Sequence, residues 1–308
     1  MIIRRASRCY SAAPLQPLQT VSLSKPLKLH LGGEYLHGIR VDAEVHGELS
    51  LPPSRTVLIL PSFSHSAHVA SNRSDPSRGW WEPMVGAGKA VDTRKWRVIC
   101  LSVLGSHFGP TNPASPRPGA VPARSWRADF PQLTPTDLAR CHRLALEALG
   151  VLDGPGGAAA APAREPLHAV VGASLGGMQA LQFGSLFPGD VRRLVAVACT
   201  GRTTPFTVAL RRSQRRAILA DPEYRDGDYA DFGSGRGPVE GLRLARELGT
   251  ILYRSREEFD ARFDWSPSSA SAAKEDTARA VHHFTKTAST ANRTLTRRRL
   301  RRPALADP

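Results

Sequence analysis

The run LHAVVGASLGGMQALQFGSLFP (167–188) constrains the fold of this chain more than any other stretch. It opens as a short apolar strand, passes through Gly172-Ala173-Ser174-Leu175-Gly176-Gly177, and continues as an amphipathic helix stopped by Pro188. A serine at such a strand-to-helix turn must adopt a strained conformation, so its neighbours have to be small. Glycines two before and two after it let strand and helix approach, and the turn lifts the hydroxyl above the sheet. The helix N-terminus then faces any negative charge that develops there. The G-x-S-x-G spacing alone occurs by chance in many proteins; the strand before it and the helix after it supply the required context. A phosphate-binding loop is disfavoured because no Lys follows the glycines, and a glycine-rich packing turn is the plain structural alternative. Ser174 is the candidate nucleophile, and the backbone N–H of Leu175 is one candidate oxyanion donor.

The flanking sequence agrees with an alternating architecture. TVLILP (56–61), WRVICLSVLG (96–105) and VRRLVAVACTG (191–201) read as strands. Residues 28–51 read as a hairpin or edge strands. Residues 133–151 carry apolar residues at helical spacing, with Thr136 as N-cap and Gly150 as stop. Residues 106–125 contain five prolines and read as a long loop. The low-complexity segment 153–166 reads as a surface insertion, because strand–helix alternation resumes after it. Strands separated by helices imply a parallel sheet and an α/β fold. Residues 205–262 are mostly helical in pattern, with a glycine-rich break at 233–237, and suggest a helical insertion above the sheet. Residues 1–27 look unfolded or cleaved.

The net charge of +15 needs localising before it bears on function. Residues 1–33 carry five Lys or Arg and no acid, and residues 264–308 carry nine against four Asp or Glu. Much of the excess therefore sits at the ends, which argues against a nucleic-acid-binding face. The cluster Arg211, Arg212, Arg215 and Arg216 reads as a solvated helix face. No apolar run approaches the roughly 18–20 residues of a membrane-spanning helix. Cys9, Cys100, Cys141 and Cys199 have no metal-ligand or redox spacing, so neither zinc nor a disulfide framework is expected.

Beyond the elbow, several blocks carry a specific resemblance. They are SHSAHVASN (64–72), GWWEPMVGAGKAVDTRKWRVIC (79–100), VLGSHFGPTNPAS (103–115), DFPQLTPTDLAR (129–140), VVGASLGGMQAL (170–181) and ARELGTILYRS (245–255). In these blocks the chain resembles the homoserine O-acetyltransferases and their serine O-acyltransferase relatives, from about residue 56 to residue 263. The resemblance implies an α/β-hydrolase core with a mostly parallel sheet and a helical lid. It implies a ping-pong transfer from acetyl-CoA or succinyl-CoA, used as co-substrate with no permanently bound cofactor, to homoserine or serine in methionine or cysteine biosynthesis. It also implies a second oxyanion N–H at Phe63, although LPSFSHSAH departs from the family's usual loop, and a carboxylate-binding role for Arg246. An exposed helix arginine is the alternative for Arg246. His65 and His68 match loop positions that shape the site entrance and are assigned no chemistry; Asp92 reads as a turn or cap residue. Partners are the small-molecule substrates, with neither nucleic acid nor membrane, and a homodimer as assembly.

The expected organisation is a basic leader (1–33), a hydrolase core (34–204), a helical lid (205–263) and an unmatched basic tail (264–308). The family's Asp and His of the catalytic triad belong after the lid, and the C-terminal strands of the fold are expected to be missing here. Asp276, His282 and His283 stand in the right order by type only. The tail reads as divergent or as the product of a misplaced splice junction or frameshift. Rival readings are a catalytically impaired pseudoenzyme and a serine hydrolase. The acid-free leader suggests mitochondrial import, with a disordered basic arm as alternative and a cytoplasmic location to match. Fusing residues 1–33 to a fluorescent protein is expected to send it to mitochondria; a diffuse cytosolic signal would leave only the arm.

Overall fold

A computed structural model describes residues 18–121, 124–153, 165–229 and 237–263. Within them the chain forms two compact units, dividing at Arg202 and Thr203. The first unit begins with β1 (Leu18–Ser22), β2 (Leu27–Lys28), β3 (Tyr35–Leu36), β4 (Arg40–His46) and β5 (Thr56–Leu60). There follow β6 (Val85–Gly86), β7 (Val91–Asp92), β8 (Arg97–Leu101), α1 (Pro135–Ala148), β9 (Ala169–Ala173), α2 (Leu175–Leu186) and β10 (Leu194–Val197).

Six strands make one sheet in the order β1-β4-β8-β5-β9-β10. β8, β5, β9 and β10 run parallel, while β4 is antiparallel to both β1 and β8. β5 and β8 are buried along their whole length, which is why they read as unbroken apolar runs. Alternate side chains divide between two cores. Leu58, Leu60, Ile99 and Leu101 join the larger core with Leu146 and Phe183, whereas Val57, Ile59, Val98 and Cys100 face Val69, Val85 and the tryptophans 80, 81 and 96. β10 ends the described sheet with Leu194, Val195 and Val197 exposed.

The cap of α1 lies two residues before the expected Thr136. Thr134 is the N-cap and Pro135 occupies the first turn. The Thr134 hydroxyl accepts from the Asp137 N–H while the Asp137 carboxylate accepts from the Thr134 N–H, a reciprocal capping box. Thr136, the expected cap, lies inside the helix. Asp137 also accepts from the His30 N–H at 2.7 Å, tying the N-terminal segment to α1.

That segment is folded where composition alone suggested a leader. β1 pairs with β4 from Leu18↔Glu44 to Ser22↔Arg40, and Val21, Leu23 and Leu27 are buried. A basic, acid-free stretch can still form a strand when alternate positions are apolar and an adjacent strand offers its hydrogen bonds.

The second unit holds α3 (Pro205–Leu219), α4 (Val239–Leu252) and α5 (Arg256–Phe263). α3 and α4 pack closely where Gly241 meets α3: a Cβ there would stand 2.4 Å from the Ala217 carbonyl oxygen. Gln214 donates to the Ala245 carbonyl at 3.0 Å, and the Arg211 guanidinium sits over the Tyr253 ring. Gly237 is the described part of the glycine-rich break; residues 230–236, like 264–308, lie outside the described residues.

Removing residues 1–25 takes away β1 and the buried Val21 and Leu23, worth about 1.5–3 kcal/mol each. The melting temperature is expected to fall by roughly 10 °C, measured by differential scanning calorimetry.

Candidate active site

The elbow occurs where the sequence places it. Ser174 links β9 to α2 with φ +55° and ψ −122°, a conformation non-glycine residues seldom adopt. Its N–H donates to the Val197 carbonyl at 2.9 Å, so β10 helps hold the strained turn. The Ser174 side chain makes no capping bond to α2 and is exposed.

Each neighbouring glycine is required by a specific close contact, with backbone at Gly172 and Gly176 and with a side chain at Gly177. A Cβ on Gly172 would come within 2.2 Å of the Gly176 carbonyl oxygen. One on Gly176 would lie 2.0 Å from the Leu60 carbonyl oxygen, and one on Gly177 would lie 2.7 Å from Cys199 Sγ. Strand, helix and the end of β5 are therefore pressed together at van der Waals limits. Gly-rich packing and nucleophile presentation are here one geometry.

The loop after β5 is joined to the elbow from two directions. Ser62 Oγ donates to the Ala173 carbonyl at 2.8 Å. The buried Gln179 side chain donates to the Pro61 carbonyl at 3.1 Å and to the Leu175 carbonyl at 3.2 Å. Its oxygen accepts from His142 Nε2 at 2.7 Å. Burial pushes the His142 imidazole down to about 4, against the opposing effect of this bond, so the ring is neutral at neutral pH.

Phe63 and Leu175, the two residues expected to supply oxyanion N–H groups, line one cleft of about 260 Å³. Its remaining walls include Val103, Leu104, Phe130 and Leu138. Thr134 also faces it, but its hydroxyl is committed to Asp137 at 2.7 Å. An apolar recess lined by Leu175, the residue after Ser174, suits a group with a nonpolar part, held by few directed bonds. Arg246 lies exposed on α4 of the second unit.

The loop that carries His65 and His68 is built on a buried carboxylate that sequence reasoning did not single out. Glu44, on β4 and 1% exposed, accepts from His46 Nε2 at 2.6 Å and from His68 Nδ1 at 2.9 Å. His68 Nε2 faces the Ser77 carbonyl at 2.8 Å. Both ring nitrogens of His68 thus point at acceptors, which requires the doubly protonated ring. Burial works against that charge, but the Ser77 carbonyl, Glu44 and Asp75 outweigh it and raise the His68 pKa. The GWW block locks onto the same loop. Trp80 and Trp81 N–H groups donate to the His68 and Val69 carbonyls, and Gly79 lies so near Ala70 that a Cβ would fall 2.2 Å from its nitrogen. His65 stacks on Trp80 with 4.5 Å between ring centroids, and burial lowers its pKa. Asp92 is the turn residue expected, accepting from the Gly88 and Arg94 N–H groups. Cys100 and Cys141 are buried free thiols. Among the described residues no cluster of three or more His, Cys, Asp or Glu could hold a metal, and no helix is long and apolar enough to cross a membrane.

The α/β-hydrolase fold family matches residues 161–301. The serine O-succinyltransferase of Litchfieldella anticariensis is 41% identical over 244 residues, which is 79% of this chain and 61% of that protein. The chain thus spans about three fifths of the length of such curated relatives. The crystal structure of homoserine O-acetyltransferase from Bacillus anthracis superposes with a TM-score of 0.67 at 25% identity, covering 83% of this chain and 65% of that one. The crystal structure of esterase E22 superposes with a TM-score of 0.66 at 26% identity, covering 82% and 67% respectively.

Because the His68 pKa is raised on folding, its stabilisation is fully present below the unfolded value of about 6.5 and is lost as pH rises through the folded value. The difference in melting temperature between wild type and His68→Gln is therefore expected to be largest below about pH 6 and to narrow as pH rises above that range. Taking the difference cancels the histidines that do not share Glu44 with His68. A gap independent of pH would show that His68 acts only by packing.

Proposed function

We propose that the chain is an acyltransferase of the α/β-hydrolase fold, like the serine O-succinyltransferases and homoserine O-acetyltransferases it resembles, and that it transfers an acyl group from acetyl-CoA or succinyl-CoA to the hydroxyl of homoserine or serine. The observation that carries this reading is the strained, exposed Ser174 at the head of α2, beside the cleft lined by Phe63 and Leu175. In the first half-reaction Ser174 Oγ bonds to the thioester carbonyl carbon, and the carbon–sulfur bond breaks to release CoA thiol. In the second, the amino acid hydroxyl attacks the acyl-serine, and the serine hydroxyl is regenerated. Dividing the transfer into two steps lets two bulky substrates use one site in turn.

The Leu175 and Phe63 N–H groups are the proposed donors to the tetrahedral oxyanion. Arg246 is the proposed partner of the amino acid carboxylate, where a planar guanidinium gives two parallel hydrogen bonds. A serine hydroxyl is a weak nucleophile until a base takes its proton. Asp276, His282 and His283 lie outside the described residues. The proposed setting is methionine or cysteine biosynthesis in mitochondria; β1 begins at Leu18, so any import cleavage that spares the sheet falls before it. The likeness to an esterase favours one alternative, in which water replaces the amino acid acceptor.

Incubating the 308-residue chain with acetyl-CoA, succinyl-CoA or p-nitrophenyl acetate is expected to leave the matching acyl mass on the peptide bearing Ser174, and Ser174→Ala is expected to abolish it. Steady turnover with the CoA donors is expected to be slow, because removing triad members leaves only about 10³–10⁴-fold catalysis over water. Several turnovers per second would place an effective base in residues 264–308. Adding serine or homoserine separates the two readings by product: an O-acyl amino acid for a transferase, the free acid for a hydrolase. An acyl mass on another residue, or none, refutes the assignment of Ser174.

A further inference from the structure

The amide of Gln179 touches the peptides next to both proposed oxyanion donors. Its nitrogen donates to the Pro61 carbonyl, in the peptide that precedes Ser62 and hence lies one residue before the Phe63 N–H. The same nitrogen donates to the carbonyl of Leu175, whose own N–H is the other donor. With the orientation of these two peptide planes held, only the dihedrals of Ser62 and of Leu175 separate the fixed carbonyls from the two donor N–H groups. We infer that Gln179 is a positioning residue that sets the two oxyanion donors against each other, with Ser62 as a second clasp; the inference rests on the acyltransferase reading of Ser174.

Three observations support a dedicated role. Gln179 is fully buried and its amide is saturated, with two carbonyl acceptors on one side and the His142 donor on the other. The two carbonyls decide which way the amide faces: they can only accept, so the Gln179 nitrogen faces them, its oxygen faces His142, and His142 must then carry its proton on Nε2. The third is mechanical: Gly176 lets the Leu60 carbonyl reach the first turn of α2, so the loop is already in contact there and needs only its rotation fixed. Ser62 fixes that rotation from the opposite side through the Ala173 carbonyl. Neither residue touches the reacting atoms, and both act through the backbone.

The test uses the full chain, p-nitrophenyl acetate as acyl donor, and two variants. Gln179→Met keeps the volume and removes the amide; Ser62→Ala removes the clasp at a half-buried position where folding is little challenged. Both are expected to lower the rate constant for acylation of Ser174, Gln179→Met by about 10- to 100-fold, as for a small misplacement of catalytic donors. The half-saturating ester concentration is expected to stay within about twofold, because ground-state binding is not what the clasp supplies. Amide hydrogen exchange is expected to speed up in peptides covering 61–66 and 174–178 and to stay unchanged across β9. Wild-type acylation rates in both variants, or exchange rising evenly through the whole first unit, would overturn the inference and reduce Gln179 to a packing residue. Should Gln179→Met not fold, Ser62→Ala decides by the same two measurements. If wild type is never acylated on Ser174 the acyltransferase reading fails, and the exchange pattern still decides whether Gln179 and Ser62 hold the two peptides.

Discussion

Everything that makes the first unit a candidate enzyme depends on how closely three backbone segments approach at the elbow. The end of β5, the turn after β9 and the first turn of α2 meet with carbonyl oxygens where side chains would normally stand. Only glycine at positions 172 and 176 permits this, and Gly177 makes room beside them for the Cys199 side chain. The approach forces Ser174 into positive φ, and such strain persists only where the surroundings over-determine it. Here they do so through the Val197 carbonyl, the α2 hydrogen bonds and the packing of Cys199 against Gly177. The cost of order 1–3 kcal/mol for such a residue is met by the parallel sheet, whose inner strands are buried on both faces.

The same approach explains the distribution of buried polar groups. A loop pressed onto a helix N-terminus has carbonyls that cannot all reach water, and each needs a donor. Gln179 and Ser62 supply donors at Pro61, Leu175 and Ala173. Further along the chain, the loop that carries His65 and His68 is tied by Glu44, His46 and His68, an ionic arrangement. The difference in chemistry is physically consistent. A buried carboxylate beneath the elbow would oppose the negative charge that forms on the acyl carbonyl in the transition state, whereas a neutral amide does not.

Much of this was legible in the sequence, and the parts that were not share a cause. The elbow, β5, β8, β9 and α1 are short-range patterns, in which apolar period and turn residues agree. The resemblance located the GWW block, and the structure adds its reason: the two tryptophan N–H groups and Gly79 are fitted to the loop at His68–Ala70. β1 was hidden because its apolar positions, Leu18 and Val21, lie in a basic stretch that composition assigns to a leader, and its pairing with β4 is a long-range fact. The α1 cap was misplaced by two residues because Thr134-Pro135-Thr136 offers two hydroxyls. The reciprocal bond with Asp137 selects the first of them. Glu44 and Gln179 carry no local signal. A lone Glu in a strand or Gln in a helix reads as solvent-facing until the partners, 24 and 37 residues away, are known.

The two units also divide the chemistry in a way that makes the functional reading testable in parts. The nucleophile, both proposed oxyanion donors and the apolar cleft belong to the first unit, on residues whose positions are fixed by glycine contacts and buried hydrogen bonds. The proposed carboxylate ligand Arg246 belongs to the second, where α3 and α4 pack through Gly241 and Gln214. Acylation of Ser174 needs a donor that reaches the first set alone, whereas choice of acceptor needs a cation to meet the amino acid carboxylate. Under the proposed reading an activated ester reports on the elbow, while a preference for homoserine or serine over water tests the proposed role of Arg246. The two halves of a ping-pong transfer place different demands on the protein: the first needs rigid backbone donors, and the second needs recognition of a small zwitterion that differs between homoserine and serine by one methylene, worth about 1–3 kcal/mol.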